Sequence, residues 1–153
     1  YLVLPKGLTE PFARRRSLDM RHSEVSTQAV MAEFMAAGHF QRHIRRMRRA
    51  ALSRRDVLLA NWPRDVAGVG AMPAIAAGLH VAVPVAGLAR EQELLAQARA
   101  VDVEINGLSS YWQQDSVEPV DNRAGLVLGF AAVPEVDIKA ALARLVKVWN
   151  GRH

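Results

Sequence analysis

Apolar positions along this chain change period several times, and each change marks an element. The opening "YLVLP" reads as a strand, Tyr1–Leu4, closed by a turn at Pro5–Gly7. Thr9 can cap a short helix that tolerates Pro11 in its first turn and runs to about Leu18. From Ser26 a helical period begins. Val30 with Phe34, and Met31 with Met35, stand four apart, while Glu33 points to solvent. Gly38 breaks this helix. The next runs from His39 or Phe40 to Asn61, with Phe40, Ile44, Met47, Ala51 and Leu58 as its apolar positions. It stops at Trp62-Pro63, because a residue before proline is pushed out of the α region.

The second half alternates strands and helices. Residues 64–78 are rich in Gly, Ala and Pro and read as a loop, disordered or lid-like over 68–78, followed by a β-prone run, "GLHVAVPV", at 78–85. A helix over 88–100 turns Leu88, Leu95 and Ala98 to one side, Val101–Ile105 reads as a strand, and "NGLSSYW" as a turn. "GLVLGFAAV" (125–133) has the continuous apolar character of a central strand buried on both faces. Pro134 opens the last helix, whose core stripe is Ile138, Leu142, Leu145 and Trp149, with Glu135 four residues before Lys139. The expected order is strand, three helices, strand, helix, two strands, helix, an α+β pattern.

Composition narrows the function classes. The chain has 153 residues, half of them hydrophobic, and no cysteine. That is enough to build a core, and it removes disulfides, thiolate metal sites and thiol catalysis. No apolar run approaches the roughly 20 residues needed to span a bilayer. An apolar strand standing bare at the first residue reads as an excerpt of a longer protein. Charge is uneven. Residues 1–64 carry thirteen Lys/Arg against five Asp/Glu, and residues 65–153 seven against ten, within a net charge of +5.

The densest positive charge lies in "GHFQRHIRRMRRAALSRRD" (38–56), which holds seven arginines and two histidines. Such a helix could track phosphates. Against that, no aromatic lies between the arginines for base stacking, no pair of short helices surrounds them, and the apolar stripe requires docking on something else. A solvated helix with its arginines paired to acidic groups is the plainer reading. His39 and His43 have a metal-compatible spacing of four but no third ligand in the pattern, so no metal site is assigned. "GVGAMPAIAAG" (68–78) matches neither the dinucleotide fingerprint nor the P-loop. Lys6, Lys139 and Lys147 read as surface charges, and Tyr111-Trp112 as a core or interface anchor.

Four stretches taken together resemble one family: "YLVLPKGL" (1–8), "EFMAAGHFQRHIRRMRRAALSRRDVLL" (33–59), "AAGLHVAVPV" (76–85) and "GLVLGFAAV" (125–133). They look like the closing part of MocR-type transcriptional regulators, which join a winged-helix GntR-type DNA-binding module to a domain resembling a fold-type-I aminotransferase. The resemblance implies residues 1–62 as the end of the large sub-domain with linking helices, and 63–153 as a small C-terminal α+β sub-domain with a small mixed sheet flanked by helices. It implies pyridoxal phosphate in the complete family protein and a small amino-compound effector. It further implies a homodimer, a cytoplasmic location, and DNA contact through a separate N-terminal module. The lysine and arginine that hold the cofactor in the family would precede Tyr1. The chain alone is therefore expected to bind no cofactor, to contribute no catalytic residue, and to be inactive.

Two positions depart from the family pattern. Ala51 stands where a tyrosine is usual. Val127 stands where aminotransferases of similar fold often place an arginine that grips the substrate carboxylate with two hydrogen bonds. Arg123, in the preceding loop, is the nearby substitute, and His80 is the second candidate for the effector side, though by itself it reads as a semi-buried structural histidine. The competing readings are the C-terminal part of a class I/II aminotransferase and a basic helical nucleic-acid-binding protein.

Overall fold

The computed structural model describes residues 2–21, 24–76, 78–113 and 117–151, with the side chains of 120 and 121 left aside. The chain divides into two compact units, Tyr1–Arg45 and Arg46–His153.

The first unit is helical. Helix α1 spans Lys6–Met20 and starts four residues earlier than a Thr9 cap would place it. Pro5 takes the N-cap position, with φ −55° already suited to helix entry, and its carbonyl accepts the Leu8 N–H at 2.9 Å. Thr9 is inside the helix, its hydroxyl turned back to the Pro5 carbonyl at 3.5 Å. The expected strand does not form at Leu2–Leu4 (Tyr1 lies outside the described residues). Among the described residues no strand pairs with this segment, and an extended run without a ladder leaves its N–H and C=O groups to water.

Helix α2 covers Val25–Ala36. It ends where the pattern placed the break: Gly38 adopts φ +73°, and the Ala37 and Gly38 N–H groups bond the Glu33 and Met35 carbonyls. No residue of α1 or α2 is buried. Helix α3, His39–Asn61, has the predicted span. Its first two turns belong to the first unit, where His39 stacks on Phe34 with ring centroids 5.5 Å apart.

The second unit holds the core. Strand β1 (His80–Pro84), strand β2 (Asn106–Gly107) and strand β3 (Gly125–Gly129) form a sheet in the order β1-β3-β2. The α+β class and the central place of "GLVLG" are as expected, but both pairings are antiparallel, so the sheet is not mixed. Val81 and Val83 pair with Leu128 and Leu126 and point into the core, while His80, Ala82 and Pro84 face outward and are exposed. On the outward side of β3 burial falls from Gly125, which is buried, through Val127, half-buried, to Gly129, exposed, so the strand is not covered on both faces along its length.

Pro84 is accommodated because β1 is an edge strand, where a missing N–H breaks no ladder. Its carbonyl accepts the Gly70 N–H at 2.8 Å. A Cβ on Gly70 would meet the Pro84 ring at 2.8 Å, so this close approach requires glycine. Val69, Met72 and Ile75 pack on the core, so the 64–78 segment is a fastened cover and not a lid (Ala77 lies outside the described residues).

Helix α4 (Leu88–Arg99) and helix α5 (Glu135–Trp149) supply the other side of the core. All four α5 stripe residues are buried: Ile138, Leu142, Leu145 and Trp149. Trp149 donates its indole N–H to the Leu94 carbonyl at 3.2 Å and meets Trp62 edge to face at 6.0 Å. Leu58, near the end of α3, joins the same core.

The strand expected at Val101–Ile105 is displaced to Asn106–Gly107. The physical reason is the way α4 ends: the Ala98 carbonyl accepts the N–H groups of both Val101 and Val103, and Asp102 turns at φ +52°. Those backbone groups close the helix and cannot enter a ladder. The valines and Ile105 still serve the core through their side chains. The expected turn at "NGLSSYW" appears as a 3-10 helix over Leu108–Tyr111. Among the described residues no helix is long and apolar enough to cross a membrane.

Candidate functional site

The outer face of the second unit's sheet carries two of the positions singled out in the sequence, His80 and Val127. Across the three strands, Ala82, Val127 and Asn106 form one row, because directly paired residues project to the same side. His80 stands two residues from Ala82 on that face, opposite Gly129. Val127 and His80 are therefore diagonal neighbours, about 7–8 Å apart by strand geometry. The imidazole lies over Gly129, whose absent side chain makes room: a Cβ there would be 3.1 Å from His80 Cδ2. Asn106 donates weakly to the Tyr111 hydroxyl at 3.4 Å. At its register Val127 offers only methyl groups, so nothing at that position can grip a carboxylate with paired hydrogen bonds.

Arg123 is elsewhere. It ends the short 3-10 helix Val120–Arg123, before β3 begins at Gly125. Its Nε and Nη2 both donate to the Glu118 carbonyl, at 2.8 and 2.5 Å. The structure thus brings His80 beside Val127 and leaves Arg123 at the opposite end of the sheet, its guanidinium turned to backbone.

A hollow of about 450 Å³ lies at the start of α4, lined by Val85, Ala86, Gly87, Leu88, Ala89 and Asn122. Gly87 supplies no side-chain cap to the helix. Among the described residues no lysine, arginine or histidine lines it. Among the described residues no cluster of three His, Cys, Asp or Glu side chains is placed to hold a metal ion.

The arginine helix resolves into two kinds of position. Arg54 donates to the Ala131 carbonyl, and Arg55 donates to the Ile75 carbonyl at 3.1 Å while pairing with Asp56 at 2.7 Å. Ser53, one position earlier, donates to Glu135 at 2.6 Å. The "SRRD" end of the motif is therefore a fastening, tying α3 to the turn after β3, to the cover segment and to the first turn of α5. Arg45, Arg48 and Arg49 are exposed. Arg54→Ala should lower unfolding stability by about 1–2 kcal/mol, the scale of a lost charged hydrogen bond partly replaced by water. Arg48→Ala should stay within about 0.5 kcal/mol. Urea titrations of the two variants followed by circular dichroism would check the contrast, and equal effects would refute the division.

One buried group escaped the pattern reading. Glu91, in the first turn of α4, is 2% exposed. Its Oε2 accepts the Gly125 N–H at 2.6 Å and the Ser109 N–H at 3.2 Å, and its Oε1 accepts the Ser109 hydroxyl. A Cβ on Gly107 would sit 2.6 Å from Oε1, so the carboxyl also dictates glycine in β2. Three donors satisfy what would otherwise be a costly buried polar group. The signal for it was present: Glu91, Leu94 and Ala98 share one face of α4 at spacings of three and four. The apolar pattern instead singles out Leu88, Leu95 and Ala98 as that side and passes over Glu91, because glutamate is rarely buried.

No protein-family model matches the chain. Comparison with curated proteins finds relatives at low identity. The chain is 29% identical over 151 residues to the uncharacterized HTH-type transcriptional regulator YdeL of Bacillus subtilis (strain 168), a match covering 98% of this chain and 31% of that protein. It is 25% identical over 150 residues to a second such regulator of the same organism, YhdI, covering 97% of this chain and 31% of that one. A third, the probable rhizopine catabolism regulatory protein MocR of Rhizobium meliloti, is 26% identical over 133 residues, 87% of this chain and 26% of that protein. The chain is thus similar to HTH-type transcriptional regulators, a MocR protein among them, and spans less than a third of the length of each.

Proposed function

We propose that this chain is the closing part of an effector-sensing region in a MocR-type transcriptional regulator, a region built like a fold-type-I aminotransferase and using pyridoxal phosphate. The observation that carries the reading is the extent of the similarity: 98% and 97% of the chain align within two HTH-type regulators. The second unit, a small sheet backed by α4 and α5, supports it as a compact sub-domain. In this reading DNA contact belongs to a separate module of a cytoplasmic, homodimeric protein. A small amino compound shifts the population between two arrangements by binding one of them more tightly.

The residues present here do not fit the cofactor's covalent anchor. Pyridoxal chemistry requires a lysine amine next to a phosphate cradle. Lys6 is exposed at the start of α1, Lys139 and Lys147 are exposed on α5, and none borders the hollow at α4. The chain by itself should therefore give no stable, stoichiometric absorbance band with pyridoxal phosphate. A band abolished by changing one of these three lysines would overturn that expectation.

The function itself is tested on a protein of the relatives' full length. The expected result is pyridoxal phosphate held through a lysine outside these 153 residues, together with retardation of duplex DNA that a small amino compound alters. Cofactor binding with transaminase turnover and no DNA retardation would replace the reading with an aminotransferase. DNA retardation by the 153-residue chain alone, lost when Arg45, Arg48 and Arg49 are neutralised, would replace it with a basic nucleic-acid-binding protein.

A further inference from the structure

We draw no further inference here: the strongest candidate, the exposed apolar surface that Val25, Val30, Met31 and Met35 carry around α2, is a helix surface, and nothing in the structure shows what covers it.

Discussion

Trp149→Ala should remove about 4 kcal/mol of unfolding stability, in the range for deleting a buried indole. Three losses combine. The side chain is 5% exposed and lies within the single apolar cluster of the second unit. Its edge-to-face contact with Trp62 disappears, and the Leu94 carbonyl loses its indole donor. Against a typical domain stability of about 5–15 kcal/mol, this is a large fraction. Trp149→Phe separates the contributions. It keeps a ring against Trp62 but cannot donate to Leu94, so its cost should be about 1–2 kcal/mol. Urea unfolding followed by circular dichroism reads both, since fluorescence would be changed by the substitution itself. A cost below about 1 kcal/mol for the alanine variant would mean that α5 does not dock through this stripe.

Glu91→Ala should cost about 3 kcal/mol, more than most single substitutions. The side chain does not fill an apolar site. It is the acceptor for three donors on two other elements: the Ser109 N–H and hydroxyl, and the Gly125 N–H. Removing it leaves the buried Gly125 N–H and the partly buried Ser109 N–H without their acceptor, at about 1–3 kcal/mol for the buried one, and opens a cavity besides. Glu91→Gln should be far milder, about 1 kcal/mol. Its amide oxygen can still accept both N–H groups, and the Ser109 hydroxyl can rotate to accept from the amide nitrogen. Hydrogen exchange at the Gly125 amide is the local readout. It should accelerate strongly in the alanine variant and little in the glutamine one. Equal destabilisation by the two would show that charge, not acceptor geometry, holds the start of β3.

Much of the fold was legible along the chain because its signals are local. The α5 stripe at Ile138, Leu142, Leu145 and Trp149 follows from a period near 3.6 and is buried at every position. The span of α3 follows from Gly38 at one end and Trp62-Pro63 at the other, residues whose backbone preferences act without distant partners. The central position of β3 was visible in its continuous apolar run.

Most of the misreadings concern groups whose state depends on residues far away in sequence, the exception being the local closure of α4. "YLVLP" is β-prone, yet a strand exists only where another strand bonds it, and propensity carries no information about that partner. Val101 and Val103 look like strand residues, but the Ala98 carbonyl claims their N–H groups first. The arginines of α3 form one run in sequence, although Arg54 and Arg55 reach backbone carbonyls 77 and 20 residues away while Arg48 stays in solvent. The candidate site shows the same division. Residue types at His80, Arg123 and Val127 are plain in the chain, whereas strand register alone puts the first beside the last and leaves Arg123 at the other end.

Period, proline and glycine thus settle the spans of α3 and α5, because each acts over a few bonds. Which side chain is fastened, which carboxylate is buried, and which face of the sheet stays open are settled only when segments dozens of residues apart come into contact. A hydrogen bond needs both of its partners, and the chain names them one at a time.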